Sequence, residues 1–365
     1  VVGFGVDAFG NVGLKLNSGA GTSGTGLLPI QGDGQGQDEY SIAGGAVKAR
    51  VSETVLAFGQ QRPQSPVFGT SDARLLPSYA TGTTIASDEI SGLHFQGGYF
   101  YSGSGENSTN QDGELKTVYG GTEFNNAEYA GFDYSFTDDL AIGLHAAKYS
   151  DVWNQYYADL YHTFSFSDDV SLSSSLNYYN TQDTGRSEAG SINNNTYSAA
   201  FALAVGAQTF TLAHQRVNGD TPFDYVNVGG SDGSSIWLAN AVQYSDFNVA
   251  GMKSYQARYD LDLGTLGVPG LSFMARYVRG SGGDGTNAEI GGAYEGATGS
   301  SANQWERDIE VKYVVQEGAA KDLSFRIRQA TWRSNNDMDT GYFGSDGAGA
   351  VDDIRLITEY PLDLL

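Results

Sequence analysis

Between Gln304 and Gln316 the chain switches chemistry at almost every residue. Trp305, Ile309, Val311, Tyr313 and Val315 fall on one face, interrupted only by Arg307, and Glu306, Asp308, Glu310 and Lys312 fall on the other. A period of two belongs to a β-strand with two unlike sides. Leu323, Phe325 and Ile327 oppose Ser324, Arg326 and Arg328 in the same way. Tyr255, Ala257, Tyr259, Leu261 and Leu263 oppose Ser254, Gln256, Arg258, Asp260 and Asp262. Composition agrees with an all-β chain: Gly 50 is nearly twice the usual frequency, Pro is 7, and Tyr 23 with Phe 18 bring aromatics to 12%. No run approaches the roughly 18 apolar residues of a membrane helix, the longest candidate lying around Ala199–Val205. Only strands could cross a bilayer.

A soluble sandwich shows the same alternation, so connection lengths carry the argument. Strands are predicted at about 2–17, 38–51, 54–60, 84–90, 93–102, 125–136, 140–150, 153–166, 170–180, 194–205, 208–217, 252–263, 270–280, 304–316, 322–333 and 351–360. Short turns such as Ser52-Glu53, Ser91-Gly92 and Ser167-Asp168-Asp169 alternate with long loops such as 61–83, 103–124, 218–251 and 281–303; Asp151-Val152 alone is out of step. Tight turns at one end and large loops at the other describe a transmembrane antiparallel up-and-down β-barrel, about sixteen strands in one domain over 1–365. Unpaired backbone groups cost several kcal/mol each in lipid, so such a sheet has to close. About sixteen strands are too many for side chains to fill the interior, which leaves a water-filled channel. An arginine at the lipid midplane costs about 2–4 kcal/mol. Arg326 and Arg328, flanked by Phe325 and Ile327, are therefore expected to face the lumen.

Charge and residue usage exclude other classes. Lys+Arg 20 against Asp+Glu 43 gives a net charge of −23, which repels a phosphate backbone and argues against nucleic-acid binding. Cysteine is absent, removing thiol catalysis, thiolate metal sites and disulfides together. His94, His145, His162 and His214 sit in no nucleophile setting, and Gly103-Ser104-Gly105 lies in a loop without the strand-to-helix turn of a nucleophile elbow. Asn335, Asp337 and Asp339 have alternate spacing, but Thr340 stands where a calcium loop needs Gly. No enzyme, metal or cofactor is expected. Val1 follows no Met and no basic-then-apolar leader, so either a signal peptide was removed or the first part of the chain is missing.

Nine stretches spread along nearly the whole chain carry a likeness: Val2–Leu16, Ser23–Pro29, Arg74-Leu75-Leu76-Pro77, Gly219–Tyr225, Asn240–Phe247, Tyr255–Leu263, Gly267–Val278, Lys321–Ala330 and Asp353–Leu362. Through them the chain resembles the OprD-type porins, outer-membrane carboxylate channels of Gram-negative bacteria. The resemblance implies a monomeric barrel of eighteen strands, two of them preceding Val1, in outer-membrane lipid, that takes up small carboxylate solutes. Outer-membrane barrels commonly end in an aromatic; here the last residue is Leu365, with Tyr360 near it.

Lys48, Arg50, Lys312, Arg326, Arg328 and Arg355 each fall on the polar face of a predicted strand. The resemblance makes them a lumenal basic ladder for the substrate carboxylate, a role that suits the donor fork of arginine. The blander reading pairs them with Glu306, Asp308 or Glu310. By resemblance, the loops at about 61–83 and 218–251 fold inward and constrict the pore. Arg74 is then expected on the carboxylate-facing side, and Tyr225, Tyr244, Ser245 and Asp246, joined by Tyr156 or Tyr157, in an opposing electronegative pocket. Such a gap orients a zwitterion, and the motifs point to the amino-acid branch, basic amino acids foremost. The alternative is a non-selective porin or a barrel with adhesive surface loops.

Overall fold

The computed structural model describes residues 2–17, 26–338 and 349–361. Ser23, Asp339, Thr340 and Leu365, singled out above, lie outside the described residues. Among the described residues twenty strands follow one another: β1 (Val2–Leu14), β2 (Glu39–Val51), β3 (Thr54–Gln61), β4 (Tyr79–Ile90), β5 (Leu93–Ser104), β6 (Leu115–Thr117), β7 (Glu123–Phe124), β8 (Ala127–Thr137), β9 (Leu140–Tyr149) and β10 (Trp153–Ser167). Then come β11 (Val170–Asp183), β12 (Asn193–Val205), β13 (Gln208–Asn218), β14 (Val226–Val228), β15 (Ser231–Asp232), β16 (Lys253–Asp262), β17 (Leu271–Gly283), β18 (Ala302–Val314), β19 (Ser324–Ser334) and β20 (Ala350–Glu359). Among the described residues no helix is long and apolar enough to cross a membrane.

Sixteen of these strands form one antiparallel sheet in strict chain order, with β1 and β20 at its ends. This is the wall of the barrel. Each predicted strand matches one wall strand, and the alternation of turn and loop follows from the meander. The tight turns need left-handed backbone, which Gly92 (φ 78) and Gly206 (φ 56) supply without the clash of a Cβ.

Alternation then sorts every wall residue to one of two sides. On β18, Ile309, Val311 and Tyr313 are exposed on the outside, whereas Glu306 and Asp308 point inward and are covered. Phe325 and Ile327 of β19 are likewise outward, with Arg326 and Arg328 between them facing the lumen.

Two features depart from expectation. β4 starts at Tyr79, five residues before the predicted 84, because Tyr79 and Ala80 pair with Ser104 and Gly103 at the upper rim. The connections also hold strands of their own, a four-stranded sheet ordered β15-β14-β6-β7. Loop backbone that lies inside a barrel loses water and must find partners, and pairing loop to loop supplies them. Where the inward loop meets the wall, aromatics pack the contact. Phe68 stacks on Phe100 at 4.7 Å, and the Tyr179 hydroxyl donates to the Pro66 carbonyl at 3.0 Å.

Cysteine placed at Arg326 is expected to react with a water-soluble thiol reagent in a membrane-embedded sample, while cysteine at Phe325 is protected. Comparable rates at the two positions would contradict the assignment of faces.

Candidate functional site in the barrel lumen

The inner wall from β16 to β20 carries its charges in cross-strand register. Arg258 lies opposite Arg276, which lies opposite Asp308. One step toward the turns, Glu310 is opposite Arg328, which is opposite Arg355, and one step further Lys312 is opposite Arg326. Ion pairs stitch the array. Asp308 holds Arg276 at 2.7 Å, Glu310 holds Arg328 at 2.6 Å and Arg326 at 3.7 Å, Asp260 holds Arg258 at 2.7 Å, and Asp353 holds Arg355 at 2.7 Å. Arg258, Arg276, Glu310 and Arg328 line a concavity of about 320 Å³. Lys312 makes no ion pair among the described residues.

The other predicted cations lie on β2, near the opposite end of the sheet. Lys48 faces inward and pairs with Asp7 of β1. Arg50 is beside the tight turn, bonded to Glu53 at 2.5 Å. Arg258 and Arg276 were not among the predicted site residues, although Arg258 already stood on the charged face of its alternating segment.

Three buried or half-buried carboxylates hold the loops in place by accepting backbone N–H groups. Glu106 accepts from Ala73 at 2.8 Å and Arg74 at 3.2 Å, fixing the 62–78 connection, and the Arg74 side chain is exposed. Burial pushes the Glu106 carboxyl above its ordinary range, against the pull of these donors and of nearby Arg74. Asp224 accepts from Tyr119, Gly120 and Tyr225 N–H groups and from the Tyr294 hydroxyl at 2.9 Å. Its carboxyl is pushed up to about 6, because complete burial outweighs those four donors. Glu306 accepts from Tyr244 and Ser245, both at 2.8 Å, so it points inward but is 0% exposed and meets loop backbone rather than lumenal water.

The expected electronegative pocket is partly assembled. Asp246 Oδ2 accepts from the Tyr225 hydroxyl at 2.9 Å and from the Tyr119 hydroxyl at 2.6 Å. Tyr119 lies 127 residues from Asp246 in sequence, so no local motif could have revealed it. The Tyr244 ring packs at 5.2 Å on Trp332, and Ser245 Oγ donates to Gln304 at 2.7 Å. The two inward loops touch where Ser234 Oγ meets Gln64 at 2.8 Å. Tyr156 is a correction. It projects from the outer face of β10, 49% exposed, because strand parity puts it opposite in sense to Tyr157. Tyr157 points inward and donates to Asn177 at 2.7 Å.

A sixteen-stranded antiparallel meander with an apolar outside, charged inside and loops seated in the bore has the architecture of an outer-membrane porin wall. A family model described as outer membrane porin, OprD family, matches residues 1–364. Porin D of Pseudomonas aeruginosa is 46% identical over 370 residues, spanning 100% of this chain and 82% of that protein. The crystal structure of Pseudomonas aeruginosa OprD aligns with a TM-score of 0.86 at 44% identity, covering 100% of this chain and 86% of the other. That of OpdK with vanillate, from the same organism, aligns with a TM-score of 0.86 at 36% identity, covering 99% and 88%. The chain belongs to the OprD family. It is a channel of the bacterial outer membrane for small solutes, and not an enzyme.

Asp224→Ala leaves three backbone donors and one hydroxyl without their acceptor, at about 1–3 kcal/mol for each that stays buried. Hydrogen exchange at Tyr119, Gly120 and Tyr225 is expected to accelerate while the wall strands keep their protection. Unchanged exchange in these loops would mean that Asp224 is not their anchor.

Proposed function

We propose that the channel passes small solutes bearing a carboxylate, basic amino acids foremost, along the basic inner wall. One observation carries this reading. Arg328 lies directly opposite Arg355, and Arg258 directly opposite Arg276. Like charges placed opposite one another weaken a sheet, so fold stability does not account for them. A passing carboxylate benefits from them. The ion pairs to Glu310 and Asp353 keep each step weak, and several weak steps in series release a solute faster than one tight site.

Lys312, Arg326, Arg328 and Arg355 form the proposed ladder, extended by Arg258 and Arg276, with Lys48 and Arg50 serving the β2 side. The inward loops constrict the bore, and the exposed Arg74 contributes a further cation there. Asp246, with the Tyr119 and Tyr225 hydroxyls on one oxygen and Tyr244 and Ser245 anchored beside it, supplies the acidic side that meets a substrate's ammonium or guanidinium group. OpdK was crystallised with vanillate, an aromatic carboxylate without an amine. A basic ladder would serve such a solute as well, and Asp246 is what favours the amino acid.

Arg328→Glu is expected to slow carboxylate solutes more than neutral solutes of equal size in reconstituted vesicles, since about 1.4 kcal/mol on a barrier is tenfold in rate. Unchanged relative uptake would leave Arg328 as a charge balancer. A screened carboxylate–cation contact contributes about 1 kcal/mol. Asp246→Asn is accordingly expected to lower arginine uptake several-fold and to spare an aromatic monocarboxylate. Equal loss for both would make Asp246 a loop support.

A further inference from the structure

We propose that the loop-side end of the barrel's outer surface, over β13 and β16 to β19, binds the phosphate groups of lipids in the outer leaflet of the membrane. Strand parity turns Arg216, Lys253, Arg279, Arg307 and Arg333 outward, on the same side as Tyr255, Tyr277 and Trp305. In register, Arg216 is opposite Lys253, and Arg279 is opposite Trp305, which is opposite Arg333. Arg307, opposite Tyr277 and Thr331, is diagonal to both Arg279 and Arg333. Lys253, opposite Ser281, is diagonal to Arg279. Opposite neighbours in a sheet are about 5 Å apart and diagonal ones about 7–8 Å. The five cations therefore form one continuous band.

Composition makes the band improbable as background. The chain holds 43 acids and 20 bases, yet among the described residues the outward faces of these five strands carry no carboxylate. Asp352 on neighbouring β20 takes Arg333 at 2.8 Å. Arg307 hydrogen-bonds the neutral Gln329 and Thr331, at 3.3 and 3.2 Å, and among the described residues makes no ion pair, although the charge of Asp352 is felt by it as well as by Arg333. Arg216, Lys253 and Arg279 make no ion pair among the described residues. On the other side of the barrel the loop-end outward charges include Glu39, Glu128 and Lys148, of mixed sign.

Position selects the ligand. Long loops mark this end as the outer one, and Trp305 and Tyr277, stacked at 5.8 Å, belong to the aromatic girdle at the lipid interface. Directly below lie Ile309 and Ile327, exposed to the membrane. Arg307 sits one outward step deeper than Trp305, where a guanidinium without an anion is costly unless it reaches up to the interface. A molecule with anionic phosphate above and acyl chains below matches both halves of the surface. Arginine forks bind phosphate with two hydrogen bonds each. An inorganic anion would use the cations alone and leave the apolar floor without a role.

The test titrates the purified full chain in detergent with lipid A, a bis-phosphorylated glycolipid, and follows retained lipid by native mass spectrometry. Wild type is expected to retain lipid A and to bind its dephosphorylated form about tenfold more weakly. The double variant Arg279→Gln/Arg307→Gln is expected to lose about tenfold in lipid A affinity. Lys148→Gln, on the far side of the barrel, is expected to keep wild-type retention. Wild-type single-channel conductance shows that a variant is folded; if the double variant fails that check, Arg216→Gln and Lys253→Gln replace it. Equal retention by the band variants, or equal retention of the dephosphorylated lipid, overturns the proposal. Complete displacement by inorganic phosphate at matched phosphate concentration also overturns it, because the site would then be an anion site rather than a lipid site.

Discussion

In a hydrocarbon layer no water is available to an unpaired N–H or C=O, and this single constraint organises the molecule. Sixteen strands paired in chain order meet it along the wall, each hydrogen-bonded to its sequence neighbour, with only the outer edges of β1 and β20 left without a partner strand among the described residues. Once the backbone is committed to strands, alternation divides every side chain between lipid and lumen. The apolar set from Ile309 to Tyr313 then has to face out. The charged set from Glu306 to Lys312 faces in at no further cost in membrane burial. A charged inner wall is in that sense a by-product of the outer one, free to vary as long as the parity is kept.

The loops obey the same rule on a smaller scale. Segments folded into the bore leave backbone donors away from solvent, and Glu106, Asp224 and Glu306 collect them. Part of the large acidic excess is thus spent inside the molecule as sockets for loops. Net charge consequently says little about the charge a solute meets. The cations of β16 to β20 are concentrated on one wall, whereas these three carboxylates are covered by the chain they hold.

The wall was legible in the sequence because its signal is local. Phe325, Arg326, Ile327 and Arg328 report their own sides through a period of two, and each tight turn closes within a few residues. The lumen's assembly was not legible in that way. Tyr119 and Asp246, or Ser71 and Glu106, meet across distant loops, and no spacing in the chain encodes the meeting. β6, β7, β14 and β15 were missed for the same reason, since strands of two or three residues bind through partners supplied from elsewhere. Arg276 was overlooked because its segment reads as largely apolar, although its parity with Met274 and Val278 placed it inside. Arg307 was visible as the one interruption of an apolar face, but its company became apparent only when register set it beside Arg279 and Arg333.

The central claim is that the inner wall selects solutes by their carboxylate. The most direct measurement compares, in vesicles containing the unaltered channel, the swelling rates given by a set of carboxylates and by their uncharged amides of nearly equal size. Faster entry of each carboxylate than of its amide is the predicted result. Equal rates across the set would contradict the account, leaving a bore that sorts by size alone.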